Sequence, residues 1–141
     1  MHPFKANIDI VINATPAKVW EGLTTPEMIK QYLFGTEAIS DWKVGSPIIY
    51  TGVWEGKSYE DKGTILKFEP EKLMVCNYWS SFSGEADLPE NYQVITYELT
   101  PVEGGTRLAL TQENIASQEK ADHSGDNWKM VLDGLKKLLE K

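Results

Sequence analysis

The chain opens on strict alternation. Between about Phe4 and Asn13, Ala6, Ile8, Ile10 and Ile12 fall on one side, and Lys5, Asn7, Asp9 and Asn13 on the other. A period of two predicts a strand buried on one face, and Val11 on the polar side fits an outer face that is partly covered. The spacing then becomes helical. Thr15-Pro16 is a start signal: a threonine hydroxyl can accept a free backbone N–H, and proline at the first helical position gives up no donor the helix needs. Val19, Trp20 and Leu23 follow at helical intervals. Thr25-Pro26-Glu27 repeats the signal, with Glu27 favourably placed against the helix dipole. Met28, Ile29, Tyr32 and Leu33 form the apolar side of this second short helix.

From about Glu37 to Asn114 the chain reads as strands and turns. Trp42 to Pro47 is a turn before a strand over Ile48–Trp54, and Glu55-Gly56-Lys57 reads as a hairpin connection. Further strands are expected at Gly63–Phe68, Leu73–Trp79, Gln93–Thr100 and Thr106–Asn114, with an irregular stretch over Ser80–Glu90. Short connections make neighbouring strands antiparallel. The tail, from about Ser124 to Leu139, places Trp128, Val131, Leu132, Leu135, Leu138 and Leu139 on one helical stripe, with Ser124 or Asp126 as the expected cap.

These elements predict one α+β domain over residues 1–141. It has a curved antiparallel sheet of about six or seven strands, two short helices after the first strand, and a long C-terminal helix across the concave face. Such a shell tends to enclose a cavity. The five Trp, six Tyr and four Phe are suited to lining one, although the same rings could equally fill the core.

Composition narrows the functional classes. A net charge of -7 disfavours nucleic acid and anionic membrane surfaces, both of which need a basic field. Cys76 is the only cysteine, so no intrachain disulfide forms, as suits a reducing compartment. No segment is apolar enough for a membrane span or a signal peptide, and the cytoplasm is the expected location.

Several strings, in order, resemble the SRPBCC superfamily, also called START-like or Bet v 1-like, whose architecture is the helix-grip fold. They are Ile12 to Trp20, Leu23-Thr24-Thr25-Pro26-Glu27, Val44-Gly45-Ser46-Pro47, Gly63 to Pro70, Ile95 to Thr100, Gly105-Thr106-Arg107-Leu108 and the Trp128 to Leu139 helix. The nearest branch is similar to the C-terminal domain of the activator of Hsp90 ATPase. The resemblance implies a hydrophobic or aromatic small molecule bound between sheet and C-terminal helix, with Trp42, Tyr50, Trp54, Trp79, Tyr97, Trp128 and Leu132 around it. The branch name also implies an Hsp90-type chaperone as partner. That namesake has an additional N-terminal domain with no counterpart upstream of Met1, which counts against the chaperone. Where many relatives have Gly-Gly and an aromatic, this chain has Gly45-Ser46-Pro47-Ile48. A monomer and a homodimer are both compatible with the pattern.

Catalytic chemistry is thinly supported. His2 and His123 belong to no cluster with metal-ligand spacing, so neither metal nor cofactor is expected. Cys76 sits in an apolar strand without a cationic neighbour, which reads as an inert thiol. Ser80, Ser81 and Ser83 have no histidine close in sequence. An enzyme, such as a cyclase or hydrolase, would need a pocket carboxylate from Asp61, Glu98 or Glu113, or a tyrosine among Tyr50, Tyr78, Tyr92 and Tyr97. Glu98 lies on the polar side of its strand and is expected to face water. Binding without catalysis is the leading expectation.

Overall fold

The computed structural model describes residues 2–33, 35–81 and 84–140, excluding the side chain of Trp54. Along the chain run β1 (Phe4–Ile12), α1 (Pro16–Thr24), α2 (Pro26–Tyr32), β2 (Glu37–Ser40), β3 (Pro47–Trp54), β4 (Lys57–Glu69) and β5 (Leu73–Ser80). A 3-10 turn at Pro89–Asn91 leads into β6 (Gln93–Val102), β7 (Gly105–Ile115) and α3 (Gln118–Leu139). The strands form one open, antiparallel, seven-stranded sheet in the order β1-β7-β6-β5-β4-β3-β2. The chain thus has the expected α+β helix-grip architecture.

Alternation decides which face is covered. On β1, Ala6 and Ile12 are buried while Lys5, Asn7, Asp9 and Val11 are exposed. The inward set continues through Ile48, Ile65, Met74, Cys76, Ile95, Leu99, Leu108 and Leu110. Irregular register between Ile65 and Lys67 on β4, and between Phe4 and Ala6 on β1, bends the sheet toward this face. The bend brings β4 and β5 close together. A Cβ on Gly63 would lie 1.8 Å from the Asn77 carbonyl oxygen, so only glycine fits there.

The helices close one end of the hollow. Thr15 caps α1, its Oγ1 accepting from the Lys18 N–H at 3.2 Å. Val19, Trp20 and Leu23 of α1 enter the core, and Trp20 meets Phe68 edge-on at 5.2 Å between ring centroids. Helix α3 runs chiefly alongside β1 and buries Val131, Leu132, Leu135 and Leu139. Its C-terminal end is tied to the end of β1. Lys136 Nζ donates to the Val11 carbonyl at 2.8 Å, and Glu140 Oε2 accepts from the Asn13 N–H at 2.8 Å.

Four details differ from the sequence expectation. Helix α3 begins at Gln118, where Ser117 Oγ accepts from the Lys120 N–H at 3.2 Å, and not near Ser124 under a Ser124 or Asp126 cap. Gln118–Asn127 carries only Ala121 as an apolar residue, so its helical period is invisible; Ala121 packs on Ala6 and Ile115. His123 consequently lies within the helix. Strand β4 starts at Lys57, well before Gly63. The short edge strand β2 had no distinct pattern of its own. Thr25 precedes α2 without a side-chain cap bond.

Two glycine substitutions test this packing. Gly63→Ala is expected to cost at least ~2 kcal/mol, because backbone must move to admit the methyl group. Gly125→Ala, inside α3 with only Ile8 Cδ1 at 3.8 Å, is expected to stabilise by about 1 kcal/mol through helix propensity. Urea unfolding of both variants measures the contrast, and a neutral Gly63→Ala would contradict the close approach of β4 and β5.

Candidate functional site

The ladder register brings polar side chains to one end of the concave face. Tyr50 of β3 pairs with Asp61 of β4, and Asp61 pairs with Ser80 of β5. One step along, Tyr78 of β5 pairs with Gln93 of β6; next, Ile95 of β6 pairs with Gln112 of β7. Because side chains alternate, these residues share the face that carries Ile48, Ile65 and Cys76. The opposite end of that face is apolar, with Met74, Leu99 and Leu108 sealed beneath α1 and the end of α3.

Asp61 is central to the polar end. Tyr78 Oη donates to Asp61 Oδ2 at 3.0 Å. Asp61 Oδ1 is buried with no hydrogen-bond partner among the described residues. Burial penalises the charge of Asp61 and lifts it above the usual carboxylate range, an effect that the Ser80 and Tyr78 hydroxyls only partly offset. Burial likewise pushes the Tyr50, Tyr78, Tyr97 and Tyr32 phenols above their ordinary value. Smaller contributions at Tyr50 come from Cys76, Tyr32, Tyr78 and Asp61, so these groups converge on one region. The Cys76 thiol is pushed up to about 12 by burial, which leaves it protonated and unreactive at neutral pH.

Most donors around this region are already committed. Tyr32 Oη donates to the Gly22 carbonyl at 2.8 Å, joining α2 to α1. Tyr59 and Thr36 share a short hydroxyl–hydroxyl hydrogen bond, and a Cβ on Gly52 would sit 2.6 Å from Tyr59 Oη. Toward α3, Trp128 Nε1 donates to Gln112 Oε1 at 2.8 Å, Gln112 Nε2 donates to Gln93 Oε1, and Trp128 meets Tyr97 edge-on at 6.2 Å. Tyr50, Asp61, Tyr78, Ser80 and Trp128 are half-buried and keep part of their surface accessible.

The candidate residues divide by face. Tyr50, Tyr97 and Trp128 come together on the concave side. Trp42 packs at its edge from the loop before β3, held in the left-handed backbone region (φ 56°) by an N–H to Ser40 Oγ bond of 3.0 Å. Leu132 is buried in the seam between α3 and β1, where with Ile8 and Ile10 it backs a shallow cleft of about 240 Å³. Trp79 is not brought to this group: period two turns it away from Cys76 and Tyr78. The Lys62 ammonium lies 5.6 Å above its ring, and its Nε1 donates to the Glu85 carbonyl at 3.2 Å. The Trp54 side chain lies outside the described residues. Among the acid–base candidates Glu98 and Glu113 are exposed, and Tyr92 donates to Asp87 at 2.5 Å in the loop before β6.

Among the described residues no three His, Cys, Asp or Glu side chains are grouped as a metal ion requires, and no helix is long and apolar enough to cross a membrane. The central place of Asp61 is hidden in the sequence because β4 shows clear apolar alternation only from Gly63 onward. Extended back through Tyr59 and Asp61, the same period would have set both on the inner face.

The family described as activator of Hsp90 ATPase homolog 1-like protein matches residues 13–140. The chain belongs to that family. Among solved structures it is similar to ChR145 from Cytophaga hutchinsonii, with 48% identity, a TM-score of 0.85, and coverage of 99% of this chain and 97% of that one. The Aha1 dimer from Colwellia psychrerythraea shares the fold at 24% identity and TM-score 0.78, covering 97% of this chain and 96% of that one. CalU16 from Micromonospora echinospora shares it at 22% identity and TM-score 0.72, covering 93% of this chain and 73% of that one. No curated protein matches. For this family member, the concave face under α3 is the candidate site.

Asp61 gives the site a pH signature. Its folded-state carboxyl holds a proton to higher pH than the unfolded chain does, so stability falls as pH rises through the window above the ordinary carboxylate value of 3.8. Asp61→Asn removes the buried charge. Its melting temperature is expected to exceed that of the wild type at neutral pH, with the gap closing as pH drops toward about 4. A gap that is constant across this range would show that Asp61 is no more costly to ionise in the fold than in water.

Proposed function

We propose that this chain binds a hydrophobic or aromatic small molecule between the concave face of its sheet and α3. The observation that carries this reading is the half-buried, still accessible group of Tyr50, Asp61, Tyr78 and Trp128 on the concave face beside a sealed apolar end. Apolar contact supplies affinity, roughly 25 cal/mol per Å² removed from water, less the cost of ordering the guest. Polar groups at the β3–β5 end supply orientation. Membership of the activator of Hsp90 ATPase homolog 1-like family supports the reading at the level of fold. A reducing, cytoplasmic setting fits the single buried thiol of Cys76.

The family description also favours a second reading, docking to an Hsp90-type chaperone. Capture experiments with the purified chain separate the two: a chaperone retained specifically and stoichiometrically would support docking, and its absence would count against it.

The binding reading is tested by thermal shift against lipids, polyketides and flavonoid-like compounds. At least one class is expected to raise the melting temperature, since a ligand at one hundred times its Kd adds about 2.7 kcal/mol. The shift is expected to shrink in Trp128→Ala, which removes a ring from the α3 side. No shift with any class would remove the reading.

A further inference from the structure

We infer that Asp61 is the polar anchor of this site, and that the guest is an apolar or aromatic molecule bearing a hydroxyl or protonated amine whose hydrogen is donated to Asp61 Oδ1. The inference rests on the binding reading above and adds the chemistry of the guest's polar end. It starts from one atom: Oδ1 is buried on the concave side and unpartnered among the described residues, while Oδ2 already accepts from Tyr78 and the Ser80 hydroxyl also engages the carboxyl. Native proteins leave few buried polar atoms unpaired, and those that remain mark a strained, catalytic or ligand-completed position.

The neighbouring groups decide the polarity of the missing partner. Tyr78 has given its hydrogen to Asp61, Tyr32 to the Gly22 carbonyl, and Trp128 to Gln112, whose amide hydrogen goes to Gln93. The uncommitted capacity at Asp61 is that of an acceptor, so the guest must bring a donor. A carboxylate or phosphate would set acceptor against acceptor, in a chain that already carries a net charge of -7. A hydroxyl or ammonium fits, and it would reproduce the bond of any water it displaced. The Tyr50 ring, the direct partner of Asp61 across β3 and β4, covers the apolar part of such a guest, with Tyr97 on the far side of Tyr50.

The test is calorimetric titration of the full chain with four compounds on one frame: naphthylmethanol, naphthylmethylamine, naphthoate and methylnaphthalene. The alcohol, the amine or both are expected to bind about tenfold or more tightly than methylnaphthalene, with naphthoate weakest. Asp61→Ala is expected to abolish that preference, and a cooperative urea transition of the variant verifies that it is folded. A preference for the amine over the alcohol would report an ionised anchor, and the reverse a protonated one; either supports the inference. If all four compounds bind alike, or the preference survives in Asp61→Ala, the anchor is overturned and the binding reading stands. If none binds the wild type, both fall for this class of guest.

Discussion

One bent sheet has to cover a whole apolar face with a single long helix, and the geometry of that match governs the molecule. A helix is ~10 Å across and strands lie about 4.8 Å apart, so one helix can shield only about two strands of a seven-stranded sheet. Helix α3 spends its coverage on β1, held there by Lys136 and Glu140 at the strand's end. Helix α1 covers the apolar end through Val19, Trp20 and Leu23. Strands β3 to β5 are left to cover their polar end with their own side chains, and large tyrosines do so while remaining half accessible.

This division produces a gradient along one face. At the closed end, Leu108 and Leu135 are 0% exposed, and packing there provides stability. At the other end Tyr50, Asp61, Tyr78, Gln93 and Gln112 replace apolar residues on the same strand faces. Burying a carboxylate with one oxygen unpaired works against folding, and a protein built only for stability would carry an apolar residue there. Stability concentrated at one end and unsatisfied polar capacity at the other is the arrangement on which the proposed binding function rests.

Legibility in the sequence followed periodicity. β1, α1, β6 and β7 could be placed from residue spacing because their buried and exposed positions differ sharply in character. The first turns of α3 could not, since Gln118–Asn127 is polar on nearly every side and its helix depends on the Ser117 cap and on Ala121 docking against Ala6. The start of β4 was hidden for a related reason: Lys57, Ser58, Glu60 and Lys62 are polar, and Asp61 breaks the apolar alternation from the inside. A polar residue on the buried face of a strand erases the signal that would reveal the strand.

The amino-acid sequence by itself determined most of the elements, their order, the single apolar face and the family, since each depends on local spacing or on strings of adjacent residues. Only the tertiary structure decided which aromatics share a space. Trp79 and Tyr78 are neighbours in sequence yet lie on opposite faces, while Tyr50, Asp61 and Ser80 come from three strands and meet only through the ladder register. Register depends on turn lengths and on irregularities such as the one between Ile65 and Lys67, which no residue spacing encodes. That Asp61 Oδ1 has no partner among the described residues is likewise a property of every neighbour at once, and so exists only in the folded chain.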